Sequence, residues 1–306
     1  MKGEDNEMNK IFDCVIIGGG IAGLQAAIQL GRYKHEVLII DKGIGRSTLC
    51  KSYHNILGYP DGVSGEELRG VGKKQAESLG VQFYKGVVQS LSKGKDYFTI
   101  HTDEVTFSAK KLLIATGIMD NIPPFPELYP CLGVSVYLCP DCDGYEVKDR
   151  KTIVIGNGDV GANMAITLLY WTKDLIYINH GCTEISGKLK EKLDSNNVAI
   201  YEQKIKQVLA NESQIIGFEL ESGPIVKANR SFIAFGGNKV MSDLAVPLGV
   251  KVMDNHHILV DPRTKMTSVD GVWAAGDVVA HSEQVTIAMG EGSQAAIWIH
   301  KALLDR

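Results

Sequence analysis

No run of apolar residues in this 306-residue chain approaches the ~20 needed to cross a bilayer as a helix, which excludes a helical membrane span. Charge of one sign is not in excess either. Lys and Arg total 32 against 36 Asp and Glu, a formal net charge of -4 with the signs interspersed. That balance recommends neither nucleic acid nor an anionic membrane as a partner. The opening MKGEDNEMNK is polar and acidic and leads directly into a strand-like run, with neither the layout of a signal peptide nor that of a transit peptide. A cytoplasmic location is therefore expected, where a close cysteine pair is catalytic or metal-binding before it is structural. Low-complexity tracts and short solenoid repeats are lacking as well.

Cysteine is scarce, and its spacing is informative. Of Cys14, Cys50, Cys131, Cys139, Cys142 and Cys182, only Cys139 and Cys142 form a C-x-x-C, within LCPDCDGYE at 138–146. Such a pair can be half of a zinc site, a staple or a redox couple. Zinc needs two more ligands, and no second C-x-x-C or close His pair supplies them. His256 and His257 are adjacent, and neighbouring side chains on a strand point to opposite faces. No metal site is expected, and a redox pair becomes the leading reading. A thiolate attacks a disulfide, and C-x-x-C geometry at a helix start lowers the first thiol's pKa. Asp143, next to Cys142, is placed to protonate a leaving thiolate. Cys14 lies in an apolar strand run and reads as a small core residue. Cys131 and Cys182 flank loops, and Cys50, with His54 four residues on, is a lesser candidate for the chemistry.

Glycine, by contrast, is plentiful at 33 residues, and 44% hydrophobic with 22% charged residues describes a soluble globular chain long enough for two domains. The stretch FDCVIIGGGIAGLQAAIQLGRYKHEVLIID, 12 to 41, orders an apolar strand, Gly18, Gly20 and Gly23 in G-x-G-x-x-G spacing, a helix pattern and a second strand ending in Asp41. Glycines there let backbone approach a pyrophosphate at a helix N-terminus, and an acidic strand end can bind a ribose hydroxyl. The pattern recurs at 151 to 181 with Gly156, Gly158 and Gly161. After its second strand come Asn179, His180 and Gly181, with neither an acidic ribose reader nor an arginine for a 2′-phosphate. Tyr170 and Trp171 close its helix and read first as packing residues.

Two landmarks suggest boundaries. KLLIATGIMDNIPPFP, 111 to 126, runs from a strand into a proline-rich connector, and DGVWAAGDVV, 270 to 279, is another short buried strand. The fold class expected is α/β with two Rossmann-like dinucleotide-binding domains, the second inserted into the first. Residues 1–120 and 245–306 form the outer domain, and 121–244 form the inserted domain with the C-x-x-C.

In GGGIAG with Asp41, IATG at 114 to 117, CPDCDGYE before GNGDVG, and AAGDV with Gln284 in EQVT, the chain resembles the low-molecular-weight thioredoxin reductase family of flavoproteins over nearly its whole length. The resemblance implies an FAD-dependent disulfide oxidoreductase and a homodimer. It places Gly18, Gly20, Gly23 and Asp41 at the FAD pyrophosphate and ribose, Gly276 and Asp277 along the ribitol-phosphate chain, and Gln284 and Val285 near the isoalloxazine. Lys42, Arg46, Ser47, Asn55, Thr116 and Gly117 complete the implied FAD set, although Arg46 stands where the family commonly has glycine. Cys139 would attack the substrate disulfide, Cys142 would contact the flavin, and Asp143 would be the acid or base. Rotation of the inserted domain is implied too, about hinges near 117–121 and 240–247.

The family reads NADPH with His-Arg-Arg, where this chain has His180, Gly181 and Cys182. Losing both arginines removes charge-assisted hydrogen bonds of roughly 1.5 to 3 kcal/mol each. That departure resembles the pyridine-nucleotide-independent branches of the family, in which ferredoxin replaces NADPH or a second FAD fills the vacated site. Because the glycines remain, a second FAD is expected at Gly156, Asn157, Gly158, Val160, Gly161, Asn179 and His180, ahead of NAD(P)H. The implied substrate is a thioredoxin-like protein or a small disulfide. An NAD(P)H-dependent reductase with an unusual nucleotide grip, or a flavin redox sensor without turnover, is the alternative.

Overall fold

The computed structural model describes residues 10–280 and 282–304. The chain divides into two compact units, one made of Met1–Thr48, Glu66–Met119 and Lys239–Arg306, the other of Leu49–Gly65 and Asp120–Asn238. Each is α/β with a parallel, Rossmann-like sheet, as expected.

In the first unit the strand Ile11–Ile17 pairs in parallel with Val37–Asp41 on one side and Thr106–Ile114 on the other. Gln82–Lys85 extends one edge, Phe98–Thr102 and Val88–Lys93 extend the other in antiparallel fashion, and Val272–Ala274 pairs in parallel with the end of Thr106–Ile114. The near-unbroken apolar runs follow from burial on both faces. Val15 and Ile17 enter one core with Leu38, Leu112 and Ile114, whereas Cys14 and Ile16 enter the other with Ala26, Ile39, Leu113 and Trp273. Cys14 is fully buried, and burial pushes its thiol pKa far up, in keeping with a core role. The helices Ile21–Arg32 and Val285–Leu304 pack closely on that second face, and a Cβ on Gly292 would strike the Ala22 carbonyl. AAGD lies in the same sheet as the first glycine turn: the Ala275 N–H donates to Ile114 O at 3.1 Å, beside Ala115 N–H to Ile17 O at 2.8 Å.

The second unit carries five parallel strands in the order Ala199–Tyr201, Leu175–Asn179, Thr152–Gly156, Arg230–Ala234 and Val136–Tyr137. A three-stranded antiparallel sheet, Ile205–Asn211, Gln214–Leu220 and Ile225–Lys227, is packed with it through Ile205, Val208, Phe218 and Leu220. Cys131 is part of that core. The segment Leu49–Gly65, which sequence motifs alone group with the first glycine turn, belongs here: Lys51 N–H donates to Leu132 O at 2.9 Å.

The chain passes between the units four times, at 48/49, 65/66, 119/120 and 238/239. Ile118–Met119 and Lys239–Val240 pair antiparallel, and the Met241 N–H donates to Gly117 O at 3.0 Å. Among the described residues no helix is long and apolar enough to cross a membrane.

Candidate functional site

The first glycine turn is shaped by close packing on two of its glycines and by open space on the third. Gly18 adopts φ +106°, a left-handed conformation that favours glycine, and a Cβ there would overlap the Ala115 carbonyl. A Cβ on Gly23 would strike Gly18 O, so the helix start presses on the strand end. Among the described residues nothing lies within 4 Å of the Cβ direction of Gly20. Asp41 ends the neighbouring strand and takes the guanidinium of Arg69 at 2.5 Å. Arg46 bridges Asp277, at 3.2 Å, and Glu283. Thr116 donates its hydroxyl to Met241 O at 2.5 Å, and Gly117 has φ +68°. Gln284 precedes the helix Val285–Leu304 and accepts the Ala288 N–H at 2.9 Å. Lys42 is exposed and Ser47 half-buried at the start of a short helix, Arg46–Leu49. Asn55 lies exposed on the second unit's Leu49–Gly65 segment.

The second turn repeats the tight half of this pattern. A Cβ on Gly156 would meet the Ala234 carbonyl, and one on Gly161 would meet the ring of Tyr177, whose hydroxyl donates to Gly158 O at 2.9 Å. Gly158 differs from Gly20: its Cβ direction runs into Thr183 Oγ1 at 2.6 Å and Glu184 O at 2.7 Å. Asn179 is buried and both ends of its amide are engaged, Oδ1 accepting the Gly158 N–H at 3.0 Å and Nδ2 donating to Thr183 O at 2.6 Å. His180 accepts the Ile205 N–H on Nδ1 at 2.8 Å between the edges of Phe125 and Phe235. Burial, then Lys204, lowers its pKa, so it is held as the neutral imidazole. Gly181 lies against Asn157, whose Oδ1 is buried without a hydrogen-bond partner among the described residues. Val160 is exposed, and Cys182 is exposed at φ +51°.

The C-x-x-C follows the edge strand Val136–Tyr137. Cys139 is extended (φ -118°, ψ 114°) and caps a single turn, Pro140–Asp143, with proline in the first helical position, where its missing N–H costs nothing. The amides of Cys142 and Asp143 both donate to Cys139 O, at 3.2 and 3.0 Å, so local backbone closure brings the two cysteines together. Both are half-buried. Gly144 closes the turn under Trp171, where a Cβ would be 2.6 Å from the indole. Trp171 is thus a packing residue, while Tyr170 and Tyr145 are exposed. Two residues on, Glu146 is 3.8 Å from His54, whose Nε2 meets Ser52 Oγ at 3.1 Å. Cys50 donates to Ser52 O at 3.3 Å and packs on Gly133. Among the described residues no group of three or more His, Cys, Asp or Glu side chains could hold a metal ion.

Motif reading missed Arg69, Glu283, Lys265 and Glu291. Lys265 and Glu291 form an ion pair of 2.7 Å whose side chains are 12% and 8% exposed. Nothing in their local sequence marks them, because each gains its importance from a partner distant along the chain.

Two dinucleotide turns, with a dithiol turn on the unit that bears the second, define a disulfide oxidoreductase of the nucleotide-binding type. The sequence profile of the pyridine nucleotide-disulphide oxidoreductase family matches residues 12–292, and the chain belongs to that family. Within it the chain is thioredoxin reductase-like, a flavin-dependent disulfide oxidoreductase. It is 29% identical to the thioredoxin reductase of Aquifex aeolicus over 311 residues, covering 96% of this chain and 94% of the relative. The crystal structure of thioredoxin reductase from Streptococcus pyogenes superposes with a TM-score of 0.86 at 26% identity, covering 97% of this chain and 100% of that one. That of HlmI does so with 0.86 at 29% identity, covering 96% and 93%.

Proposed function

We propose that the protein is an FAD-dependent disulfide oxidoreductase that exchanges electrons with a thioredoxin-like protein or small disulfide through Cys139 and Cys142, and that it draws none from NADPH. The observation that carries the last clause is the engagement of Asn179 and His180. Their polar groups are tied to Gly158, Thr183 and Ile205, and the next two residues, Gly181 and Cys182, bring no cation to a 2′-phosphate.

The first turn fits FAD: its glycines hold strand and helix together while Gly20 leaves the approach open, and Asp41 ends the adjacent strand. We assign Gly18, Gly20, Gly23, Asp41, Gly276, Asp277, Gln284 and Val285 to it, with Lys42, Arg46, Ser47, Thr116 and Gly117 at its margins. When bound, FAD supplies the electron pair that returns a Cys139–Cys142 disulfide to the dithiol.

This chain's residues carry the exchange. The Cys139 thiolate attacks one sulfur of the substrate disulfide; a mixed disulfide forms and the other substrate sulfur leaves as a thiolate, to which Asp143 gives a proton. Cys142, giving its proton to the Asp143 carboxylate, then attacks Cys139 Sγ and expels the second substrate thiolate, which takes up that proton. The substrate ends as a dithiol, two electrons richer, and the protein as the Cys139–Cys142 disulfide. The turn Pro140–Asp143 supports this order by fixing both sulfurs to one carbonyl-anchored loop.

For the second turn, Gly156, Asn157, Gly158, Val160, Gly161, Asn179 and His180, we propose a dinucleotide without a 2′-phosphate, a second FAD ahead of NAD(P)H. Its support is the tight packing at Gly156 and Gly161 that it shares with the first turn. Its requirement is that Thr183 and Glu184 yield the space off Gly158, and no step of the exchange above depends on it. Ferredoxin is the donor of choice where this turn stays empty. A cytoplasmic homodimer remains part of the proposal.

Three measurements decide it. NADPH at micromolar concentration leaves the flavin oxidised; rapid bleaching would establish the conventional reductase instead. Cys139→Ser abolishes disulfide reduction, whereas unchanged reduction would take the exchange away from Cys139. Flavin released from purified protein is two per chain with a second FAD, and one per chain sinks that part alone.

A further inference from the structure

The buried pair Lys265–Glu291 takes no part in the chemistry above, and an apolar pair would pack as well at lower desolvation cost. What an apolar pair could not do is accept a hydrogen bond. Glu291 Oε1 meets Lys265 Nζ at 2.7 Å, and its other oxygen, Oε2, accepts the N–H of Gly276 at 3.0 Å. Gly276 has φ +80°, and a Cβ there would lie 2.8 Å from that of Ala22. Gly292, next to Glu291, presses on the backbone of the same Ala22. The first turn of Ile21–Arg32, the Gly276 turn and the helix Val285–Leu304 therefore meet around one carboxylate. Lys265 is fixed in its own right: it adopts φ +61°, and its carbonyl accepts the N–H of Ala274, on the strand that leads into Gly276. Asp277 follows directly and reaches Arg46.

We propose that Lys265 and Glu291 are positioning residues that hold the Gly276–Asp277 turn against the first glycine turn, so that retention of FAD depends on them. The inference rests on the reading of the first turn as the FAD site. The Lys265 ammonium orients the Glu291 carboxylate. The carboxylate in turn holds the Gly276 amide, and with it the direction in which Asp277 leaves the sheet. Neither side chain needs to touch the cofactor.

The test uses the purified holoenzyme and follows FAD release by the rise in flavin fluorescence after dilution, alongside the thermal midpoint. Lys265→Met and Glu291→Gln are expected to release FAD about tenfold faster or more, and Lys265→Arg to stay near wild type. The double variant Lys265→Met/Glu291→Met separates positioning from packing: it keeps the thermal midpoint, since an apolar pair replaces a buried ionic one, yet releases FAD faster because Gly276 has lost its acceptor. Release within twofold of wild type in the double variant and in Glu291→Gln would overturn the proposal. So would a lowered midpoint with unchanged release, which marks a merely structural pair. A wild-type protein purified without flavin would instead refute the FAD reading itself. In that event hydrogen exchange at the Gly276 amide still decides the positioning role: faster exchange in Glu291→Gln supports it, and unchanged exchange refutes it.

Discussion

Gly20 and Gly158 occupy the same place in two copies of one motif, yet among the described residues Gly20 meets nothing and Gly158 meets Thr183 and Glu184. The tight glycines match: Gly18 and Gly156 each press on the carbonyl of the neighbouring strand, and Gly23 and Gly161 each seat a helix. Spacing therefore reports how strand and helix join. Access to the turn is set by the chain that follows the second strand, and there the copies diverge. After Asp41 the first copy brings Arg69 to the carboxylate, whereas after Asn179 the second copy folds 181 to 186 back onto its own helix start, with Asp159 accepting the Ser186 N–H at 2.7 Å.

The strongest way to break the comparison is to give both open-position glycines a side chain. At Gly20 an added Cβ meets no neighbour among the described residues, so Gly20→Leu is expected to fold; on the proposed FAD reading it blocks the pyrophosphate approach, and flavin content and disulfide reduction fall to background. Gly158→Leu collides with Thr183 and Glu184, and costs the second unit on the order of 3 kcal/mol in urea unfolding. Equal flavin loss in the two variants would erase the distinction. A second, smaller effect is a gain. Arginines at 181 and 182, with Asn157→Gly to clear the buried Oδ1 beneath Gly181, should tighten NADPH about tenfold per cation in titration calorimetry. No gain would mean that the filled turn, not the missing charge, excludes the nucleotide.

The smallest effect concerns His180. Its folded pKa lies below the ordinary 6.5, so the unfolded chain takes up a proton at higher pH than the folded one does. The stability it contributes is full above 6.5 and is lost as pH falls through the folded value. Between about pH 8 and about pH 5 the urea midpoint of His180→Gln should therefore fall less than that of the wild type, by under about 1 kcal/mol in stability because the ring is partly exposed. A parallel pH profile would show that His180 is not held neutral.

Much of this arrangement is legible in the residues. Turns that need glycine, a dithiol loop that needs proline and short spacing, and buried strands that need apolar runs all express local backbone requirements. The ion pairs do not. Arg69 reaches Asp41 across 28 positions, Glu291 reaches Lys265 across 26, and Arg46 meets Glu283 across 237. Arg69, Glu283, Lys265 and Glu291 would each read as an ordinary surface charge until the fold supplies its partner. Leu49–Gly65 is instructive in the same way, since its attachment to Leu132 depends on packing that no motif in the segment announces.

The antiparallel pairing of Ile118–Met119 with Lys239–Val240 has a consequence for how such a chain can be cut and rejoined. To the outer sheet, everything between these strands is the loop of a hairpin whose neck is already bonded. Closing that neck with a two-residue turn would remove the inserted residues at a small difference in loop entropy, since that cost grows only slowly with length. What would resist the surgery is Leu49–Gly65, left behind with its backbone and side-chain partners deleted. An outer domain made this way needs both excisions, and the two pieces of the second unit would travel together in any graft.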